Sequence, residues 1–432
     1  MFGRIGILGM GYVGLTLAAG LARNGYEVHG VDTETRVLGS LRNGRVHLFE
    51  PGLEETLRDA LGRNFFVHGM LPADLDAAII CVSTPINGKT RQPDLSNLAA
   101  AAAQIARRCR PSTLVVVRST VPVGASRQVV LPALTAEWET ARLVMAPERT
   151  IQGQALRELT ELPQVVGGLD EQSRLAGLAM FRGLAKQVVP VSSLEVAELV
   201  KLANNCHTDL IYAFGNEVAL LAERHGVDPL EVIHAANHDY PRPDLAMPGF
   251  VGGSCLSKDP YLLGSGAPES FLIAAARQRN EQLPVHVAAT VVRKLRQLRG
   301  DETTAATLAV LGWAYKGWPP TDDTRGAAIV AMMPVFRAAG LRVLGHDPLV
   351  PDEVIQSYGG EPVGIDKAFS EADAVLVLND HPDYRALHVP TLLPGTGVRF
   401  VFDSWRVLDE QAVRAVGVDY CGIGYSGIGE PA

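Results

Sequence analysis

The sequence predicts an α/β fold in which two Rossmann-like, doubly wound domains are joined by a long central helix and a helical domain. In the first half of the chain, short apolar runs alternate with amphipathic segments. An extended helical pattern fills the middle, and the alternation returns from Ala306. Strands that alternate with helices are typical of a parallel sheet covered by helices on both faces, so each alternating region is expected to form one such sheet.

The first alternating region contains five candidate strands and two clear helical patterns. The strands are predicted at residues 5–8, 27–31, 77–82, 114–118 and 143–146. The helices are predicted at residues 13–24 and 98–108. Short apolar runs indicate strands and longer amphipathic segments indicate helices, and together they predict a first domain over residues 1–191.

A different pattern runs from Ser193 to Gly226, where apolar residues recur at helical spacing. Its length favours a long central helix, either continuous or broken once. We expect domain boundaries near Val191 and Arg299, with residues 301–304 as a polar linker. The central helical domain would then cover residues 192–300 and the last domain residues 301–432.

The last part of the chain resembles the first in outline. IGILGMGYVG has a counterpart in LAVLGWAYKG, VHGVDTE in VLGHDPLV, AAIICVSTP in AVLVLND, and TLVVVRST in RFVFDSW. This likeness is too faint to establish a repeat. It supports a second doubly wound domain after the central helix.

The composition limits the class of partner and the compartment. The formal net charge is −8 without a long run of Lys or Arg, which argues against nucleic acid or an anionic membrane as partner. The five cysteines include no C-x-x-C pair, so we expect neither a disulfide framework nor a zinc site, and a reducing compartment. None of the 11 His residues has a metal-ligand spacing, so no metal is predicted. Because the chain has no leader pattern and no apolar run of the ~18 residues that a membrane span needs, we expect a cytoplasmic protein.

The segment from Gly9 to Gly14 matches G-x-G-x-x-G and lies between a predicted strand and a predicted helix. Gly9 permits the tight turn, Gly11 lets a pyrophosphate approach the backbone, and Gly14 lets the helix and strand pack closely. Asp32 ends the next strand 18 residues after Gly14, where it would accept hydrogen bonds from ribose hydroxyls and repel a 2′-phosphate. The pattern predicts an NAD site that disfavours NADP; a glycine-rich turn without a ligand is the alternative.

Cys255 is the most suggestive reactive residue outside this site. It follows Gly252-Gly253-Ser254, and Asp259 lies four residues later. A turn beside a helix N-terminus would lower the pKa of the thiol and expose the sulfur, although a buried, inert cysteine is the more common case. On the central helix Lys201 and Asn205 share one face; a surface lysine beside a cap-like asparagine is the alternative.

Two further segments follow predicted strands at their carboxyl ends, the edge at which open α/β sheets bind ligands. They are residues 119–124 and Pro147-Glu148-Arg149. In the second alternating region, residues 311–316 contain one glycine where the fingerprint of the first region contains three, so a second dinucleotide site is not predicted. Its Lys316 and Arg325 are candidates for holding a nucleotide; two solvated basic side chains are the alternative.

These and neighbouring motifs, in order along nearly the whole chain, resemble those of the UDP-glucose/GDP-mannose dehydrogenase family. They are GxGYVG, Glu50-Pro51-Gly52-Leu53, STPxxG at residues 83–88, STVPVG, PER, AELVKLANN, Asn216-Glu217, Pro241-Arg242, GGSCLSKDP, LGxAYK, TDDTR, HDP and a final GIGY. The most specific element is GGSC..KD combined with K...N on the preceding helix.

The resemblance implies NAD as the cofactor, a UDP-sugar as the substrate and a homodimer formed through the central helical domain. It implies a four-electron oxidation of the C6 hydroxymethyl group of the sugar to a carboxylate. In this scheme NAD takes a hydride from C6, and Cys255 captures the aldehyde as a thiohemiacetal. A second NAD takes another hydride, and water hydrolyses the resulting thioester.

The resemblance also implies roles for individual residues. Lys201 and Asn205 would stabilise the developing oxyanion, and Asp259 would work with an ordered water in proton transfer. Thr120 and Glu148 would line the same cavity, with Glu148 assisting hydrolysis.

The ligand contacts that the resemblance implies fall on both alternating regions. The cofactor-binding residues would be Gly9, Gly11, Tyr12, Val13, Gly14, Asp32, Thr84 and Thr120. The sugar-nucleotide residues would be Gly252, Lys316, Arg325 and Arg406, with Arg242 reaching the sugar site of a neighbouring subunit. Two positions depart from the family pattern. Gln152 stands where UDP-glucose enzymes carry a second glutamate, and Trp405 replaces an arginine thought to touch the phosphates, so that contact either moves to Arg406 or is absent.

The sugar is indicated by conflicting features. PER followed by Gly153, and the stretch from Pro241-Arg242 to Met247-Pro248-Gly249, resemble the N-acetylhexosamine branch of the family. GGSC resembles the glucose branch, since amino-sugar members usually carry GGHC. We favour a UDP-N-acetylhexosamine as the substrate, specifically UDP-N-acetylmannosamine. UDP-glucose is the first alternative, followed by GDP-mannose or an unusual nucleotide sugar.

Two other classes of function stay open. A two-electron β-hydroxyacid dehydrogenase also pairs a Rossmann domain with a helical domain that bears K...N, but it has no use for Cys255 or a third domain. A sugar-nucleotide sensor would bind the same ligands without turnover; the presence of Cys255, Lys201, Asn205 and Asp259 together speaks against it.

Overall fold

The computed structural model describes residues 3–242, 244–265, 270–299 and 306–426. The chain divides into two compact units. The first contains Met1–Asn205 and Tyr261–Pro268, and the second contains Cys206–Pro260 and Glu269–Ala432. The predicted linker at residues 301–304 lies outside the described residues, and the predicted boundaries of three domains stay a prediction.

Among the described residues, the first unit is built on an eight-stranded sheet with the order β3-β2-β1-β4-β5-β6-β7-β8. Its strands are β1 (Arg4–Leu8), β2 (Glu27–Val31), β3 (Phe65–His68), β4 (Ala77–Ile80), β5 (Leu114–Val117), β6 (Arg142–Met145), β7 (Gln164–Gly168) and β8 (Val188–Val191). Neighbouring strands pair in parallel, whereas β6 and β7 run antiparallel. Its helices are α1 (Tyr12–Arg23), α2 (Thr35–Arg42), α3 (Leu53–Ala60), α4 (Ser96–Arg108), α5 (Leu131–Thr135), α6 (Ala155–Glu161) and α7 (Glu171–Phe181), with a π-helical turn at Ser126–Val130.

Both faces of this sheet are covered by apolar side chains, which explains why its strands are continuous apolar runs in the sequence. Successive residues of a strand face opposite sides of the sheet. Ile5 and Ile7 join one apolar cluster with residues of α1, and Leu8 and Ile80 join another with residues of α4. A parallel sheet covered in this way has no polar face, so its strands show no alternation of polar and apolar residues.

The five predicted strands of the first region are confirmed, with ends that differ by at most two residues. The sequence analysis missed β3, β7 and β8. β7 ends in Gly167-Gly168, and β8 is a partly exposed edge strand that contains Pro190. Glycine and proline are typical of strand ends and sheet edges, and they mask the apolar pattern of so short a run.

Helix α8 (Leu194–His225) is continuous over 32 residues, so the alternative with one break is wrong. Glu195 in its first turn and Arg224 and His225 in its last turn suit the helix dipole. The interior Gly215 is required by a close approach, because a Cβ there would lie 2.3 Å from the carbonyl oxygen of Ala246.

The second unit carries, among the described residues, a six-stranded parallel sheet with the order β11-β10-β9-β12-β13-β14. Its strands are β9 (Thr307–Leu311), β10 (Arg342–His346), β11 (Glu361–Pro362), β12 (Ala374–Val377), β13 (Phe400–Asp403) and β14 (Asp419–Cys421). The remaining helices are α9 (Pro229–Asn237), α10 (Gly253–Leu256), α11 (Asp259–Gly264), α12 (Phe271–Arg299), α13 (Ala328–Ala338), α14 (Asp352–Ser357), α15 (Ile365–Ser370), α16 (Pro382–Arg385), α17 (Val389–Leu392) and α18 (Glu410–Ala415).

The two sheets share a strand order, which explains the faint internal resemblance of the sequence. The order β3-β2-β1-β4-β5-β6 in the first sheet matches β11-β10-β9-β12-β13-β14 in the second. This is the order of a doubly wound dinucleotide-binding fold, and the predicted fold class is confirmed.

No helix among the described residues combines the length and apolar character that crossing a membrane requires.

Candidate functional site

The loop between β1 and α1 has the geometry that its three glycines predict. Gly9 has a φ of 96°, and a Cβ there would lie 2.6 Å from the carbonyl oxygen of Cys81. A Cβ on Gly14 would lie 1.9 Å from the carbonyl oxygen of Gly9, so the helix packs directly on the loop. A Cβ on Gly11 would have no atom within 4 Å. The backbone at Gly11 therefore borders open space, as close approach of a pyrophosphate requires.

Asp32 is held at the end of β2 by the same loop. Its Oδ2 accepts a hydrogen bond from the Met10 N–H at 2.8 Å, and its Oδ1 accepts one from the Glu34 N–H at 2.9 Å. The carboxylate is thus fixed beside the glycine loop. A fixed negative charge in this position favours ribose hydroxyls and disfavours a 2′-phosphate.

Thr84 and Thr120 come together at the carboxyl edge of the first sheet. They follow the adjacent strands β4 and β5, and the Thr84 hydroxyl donates to the carbonyl oxygen of Thr120 at 2.6 Å. The strand order reverses at the junction of β1 and β4, which is where open α/β sheets bind their ligands. Both predicted cofactor residues therefore lie at the expected edge.

Glu50 ties the cofactor loop to the segment that follows PER, a link that the sequence analysis missed. Its Oε2 accepts hydrogen bonds from the Tyr12 hydroxyl and from the Gly153 N–H, the latter at 2.7 Å, and its Oε1 accepts the Ala155 N–H at 2.7 Å. Burial and the bond to Glu50 raise the pKa of Tyr12, so its phenol stays protonated as the donor. The nearest sequence signal was a carboxylate flanked by apolar residues in Leu48–Leu53, which spacing alone does not pair with Tyr12.

Glu148 lies in a buried ion pair with Arg118. The guanidinium of Arg118 donates to Oε2 of Glu148 from Nε at 3.1 Å and from Nη2 at 2.6 Å. Oε1 accepts the N–H groups of Arg149 at 2.7 Å and Thr150 at 2.8 Å. Burial alone would raise the pKa of Glu148, but Arg118 and the Thr150 N–H outweigh it and hold the pKa below its ordinary value. The carboxylate is therefore ionised; its role in hydrolysis stays a prediction.

In the second unit, Cys255 presents an exposed thiol. All five cysteines lie in the described ranges, and the other four are buried. Burial raises the pKa of Cys81 and Cys206 to about 12 and that of Cys109 to about 11. Since the thiolate is the reactive form, Cys255 is the cysteine best placed to react. It lies inside the single-turn helix α10 rather than beside a longer helix.

The Gly-Gly pair packs α10 against the loop after β9. A Cβ on Gly252 would lie 2.4 Å from the carbonyl oxygen of Gly326, and one on Gly253 would lie 2.9 Å from the Tyr315 ring. The Gly253 N–H donates to the carbonyl oxygen of Arg325 at 2.9 Å. The predicted nucleophile thus lies against the loop that carries the predicted nucleotide residues.

That loop presents the two basic side chains differently. Arg325 is held by a bidentate pair with Asp323, at 2.9 Å from Nε and 2.7 Å from Nη2, and its guanidinium remains largely exposed. The Nζ of Lys316 lies 5.7 Å from the centre of the Tyr315 ring. Both positions suit the binding of an anion, and the assignments stay predictions.

Three other predicted catalytic residues are distributed between the units. Lys201, in the first unit, is 7% exposed, so it is not a solvated surface lysine; Asn205 follows it on the same face of α8. Asp259, in the second unit, is fully buried and begins α11, with the Nζ of Lys258 at 3.9 Å. Cys255 and Asp259 therefore lie on separate short helices, not on one helical turn.

The two arginines expected at the sugar site differ in their surroundings. Arg242 is exposed and lies over the Tyr240 ring at 4.9 Å. Arg406 donates two hydrogen bonds of 2.8 Å to Asp228 and lies 3.7 Å from the centre of the Tyr425 ring. These partners engage the guanidinium within the chain; whether Arg406 also contacts phosphate stays a prediction.

Trp405, which stands in place of the family arginine, has a packing role. Its indole N–H donates to the carbonyl oxygen of Leu378 at 2.8 Å. Its ring lies so close to Gly249 that a Cβ there would be 2.6 Å away. The residue therefore supports the backbone that leads to α10.

Across the described residues no group of His, Cys, Asp and Glu is arranged to hold a metal ion. That the protein uses no metal stays a prediction.

Comparison with known proteins matches three family models to consecutive parts of the chain. They are the NAD binding domain, the central domain and the UDP binding domain of the UDP-glucose/GDP-mannose dehydrogenase family, at residues 3–185, 195–282 and 309–410. The chain is 33% identical over 430 residues to the UDP-N-acetyl-D-mannosamine dehydrogenase of Pyrococcus horikoshii, covering 98% of this chain and 99% of that protein.

The chain belongs to the UDP-glucose/GDP-mannose dehydrogenase family.

Solved structures of family members match nearly all of the chain. The UDP-D-ManNAc dehydrogenase structure from Pyrococcus horikoshii has a TM-score of 0.88 at 32% identity, covering 98% of this chain and 99% of that one. The UDP-glucose dehydrogenase structure from Pyrobaculum islandicum has a TM-score of 0.84 at 29% identity, covering 98% of each chain. The predicted family and the predicted class, an NAD-dependent nucleotide-sugar dehydrogenase, are confirmed.

NAD fits the first unit of this family member. The open space at Gly11, the turn at Gly9 and the fixed carboxylate of Asp32 would hold its pyrophosphate and adenine ribose. The loop after β9 has Ala314 in the place of Gly11, and the family model that matches this part of the chain is described as a UDP binding domain. The two nucleotides are therefore assigned to different units.

Two glycine substitutions separate the packing role of the loop from its cofactor role. Gly11→Ala should fold like the wild type, because φ is −75° and a Cβ has no atom within 4 Å. Its methyl group should enter the pyrophosphate space and weaken NAD binding by about tenfold or more, ~1.4 kcal/mol. Gly14→Ala should instead lower the free energy of unfolding by about 1–3 kcal/mol through overpacking. Calorimetric NAD titration and thermal melts measure both quantities.

The pair supplies its own control, since each variant should affect one quantity more than the other. Wild-type NAD affinity in a well-folded Gly11→Ala protein would show that the dinucleotide does not approach this loop.

Proposed function

We propose that this chain is a UDP-N-acetylhexosamine 6-dehydrogenase that oxidises UDP-N-acetylmannosamine to the uronate in a four-electron reaction. The observation that carries the proposal is the exposed thiol of Cys255, packed through a Gly-Gly pair on the loop of Lys316 and Arg325. A thiol beside a nucleotide-sugar site suits covalent capture of an aldehyde, which a two-electron dehydrogenase does not need.

The choice of sugar rests on relatives and on one motif. The Pyrococcus horikoshii relative and the structural neighbour from the same organism are both described as acting on UDP-N-acetylmannosamine. Gly153 after PER has a φ of 88°, and its N–H donates to Glu50, so this branch-typical glycine has a backbone role here. UDP-glucose is the second candidate, favoured by Ser254 in GGSC and by the Pyrobaculum islandicum neighbour.

The chemistry assigned to the chain centres on Cys255. When bound, NAD accepts a hydride from C6 of the sugar. The Cys255 sulfur adds to the aldehyde carbon, forming a C–S bond while the carbonyl oxygen takes up a proton. Loss of a second hydride from the same carbon, for which a second NAD would be the acceptor, and of the proton on its oxygen would give the thioester. Water attacks it, the C–S bond breaks, and the carboxylate and the thiol are released.

Buried charges would serve these steps. The buried ammonium of Lys201, with the amide of Asn205, would stabilise negative charge on the C6 oxygen. The buried carboxylate of Asp259 would hold a water for proton transfer. Glu148, kept ionised by Arg118, would assist hydrolysis through its negative charge, because its two oxygens already accept four hydrogen bonds. Thr120, at the carboxyl edge of the first sheet, is assigned to the same reaction by the family resemblance.

We also propose a homodimer formed through α8. Three apolar residues with helical spacing on this helix are exposed: Ile211 by 37%, Phe214 by 55% and Leu221 by 46%. Such a stripe on a long helix suits burial against a second copy of the chain. Sedimentation of Phe214→Glu should show a monomer where the wild type shows a dimer, and a monomeric wild type would refute the proposal.

We also propose a cytoplasmic location. It is supported by five free thiols, of which Cys255 must stay reduced, and cell fractionation tests it.

The nucleophile is tested with UDP-N-acetylmannosamine, UDP-glucose and GDP-mannose as substrates. The wild type should form NADH fastest with UDP-N-acetylmannosamine. Cys255→Ala should lose conversion of alcohol to uronate by several orders of magnitude, as expected when a nucleophile is removed. Its affinities for NAD and the sugar nucleotide should stay near wild type, because neither binding depends on the sulfur. Product mass and absorbance at 340 nm measure the reaction.

Cys109→Ala is the matched control, since its thiol is buried at the C-terminal end of α4, and it should retain turnover. Near wild-type turnover by Cys255→Ala would refute the thioester scheme. Binding of every sugar without NADH formation by the wild type would identify a sensor, and faster turnover of UDP-glucose would replace the sugar assignment.

A further inference from the structure

A buried polar network in the second unit holds both ends of the segment that carries Cys255. Its members come from two long helices, α8 and α12. They are Asp209, Asn216, Arg277 and Asn280, none of which is more than 3% exposed. The nucleotide-sugar dehydrogenase scheme above uses none of these four residues.

Arg277 anchors the end after the thiol. Its Nη1 donates to Oδ1 of Asp209 at 2.6 Å and to the carbonyl oxygen of Leu256 at 2.9 Å. Leu256 directly follows Cys255 and is the last residue of α10. One guanidinium nitrogen thus joins a buried carboxylate to the backbone next to the nucleophile.

Asn216 anchors the other end. Its Oδ1 accepts the Gly249 N–H at 2.8 Å, and its Nδ2 donates to the carbonyl oxygen of Gly249 at 3.0 Å. The same Nδ2 donates to Oδ1 of Asn280 at 2.9 Å. Asn280 in turn donates to the carbonyl oxygen and Oδ1 of Asp209, at 2.8 and 2.9 Å. The chain of bonds therefore runs without interruption from Gly249 to Leu256.

These bonds matter because α10 has only four residues. A single helical turn has little stability of its own, so its position depends on what holds its ends. A buried ion pair is also weak evidence for a stability role, since well-packed apolar residues often replace one without loss. In this network Arg277 bonds the backbone after the thiol and Asn216 bonds the backbone before it, which indicates a further use.

We propose that Arg277, held by Asp209 and Asn280, is a positioning residue that sets the place of the Cys255 sulfur relative to C6 of the sugar. The proposal rests on the proposed function in one respect, the role of Cys255 as nucleophile. Bond formation needs the reacting atoms at about 3–3.5 Å, and a displacement of about 1 Å costs on the order of 100-fold in rate. Binding of either nucleotide does not require this alignment.

The test compares Arg277→Met/Asp209→Leu, Arg277→Lys and the control Arg279→Met. The double variant replaces the buried pair by apolar groups, a change that folded proteins often tolerate, and it removes the Leu256 anchor. Arg279 lies two residues from Arg277 on the same helix, and its ion pair with Glu217 is partly exposed. The double variant should lose about 100-fold in kcat, with both KM values within about twofold of wild type. Arg277→Lys should recover part of the loss, and Arg279→Met should change neither constant.

A second readout does not depend on turnover. Bound sugar nucleotide should shield Cys255 from iodoacetamide in the wild type and in Arg279→Met. In the double variant the displaced thiol should be alkylated even at saturating sugar nucleotide, as measured by peptide mass. If the double variant does not fold, the Arg277→Lys variant tests the proposal instead. A lower kcat, an unchanged KM for both ligands and faster alkylation of Cys255 in the presence of sugar nucleotide would support it.

Unchanged kcat and unchanged shielding in a folded variant would overturn the positioning role. A parallel change of kcat, both KM values and thermal stability would also overturn it, since that is the mark of a purely structural residue. Failure of the proposed function is distinguishable, because it appears as near wild-type turnover by Cys255→Ala whatever the shielding experiments show.

Discussion

A helix of one turn cannot keep a side chain in place by its own hydrogen bonds, and Cys255 lies on such a helix. Much of the second unit is arranged around this constraint. Tyr315 and Gly326 pack against the Gly-Gly pair on one side, which leaves no room for a Cβ. Arg277 and Asn216 hold the backbone after and before the turn. The thiol is exposed, but the backbone beneath it is held from several directions.

In the first unit, two buried carboxylates hold loop backbone in place. Glu148 follows β6 and Glu50 lies between α2 and α3, and each carboxylate accepts backbone N–H groups from residues 149–155. Arg118 and Tyr12 supply the remaining bonds. A carboxylate whose two oxygens both accept hydrogen bonds holds its donors in place, so each glutamate orders the segment that donates to it. The loops that face the ligands are thereby set by groups that lie behind them.

The sequence analysis predicted the parts of this arrangement that depend on local pattern. Continuous apolar runs located most central strands, and the three glycines with Asp32 located the cofactor loop. It missed β7 and β8, where glycine and proline interrupt the run. It also missed the contacts of Arg277 and Asn280 with Asp209, because polar residues on an amphipathic helix read as solvent-facing. These partners are 68 and 71 residues apart, and no spacing rule connects them. The roles of Cys255 and Lys201 came from family resemblance, since their local sequence also fits inert residues.

The most direct test of the account is the number of NADH molecules formed for each uronate. Oxidation of a primary alcohol to a carboxylate removes four electrons, and each NAD accepts two. The account predicts two NADH per UDP-N-acetylmannosamine consumed, with no free aldehyde trapped by hydroxylamine during turnover, because Cys255 holds the intermediate. One NADH per sugar, with the aldehyde released as product, would contradict it.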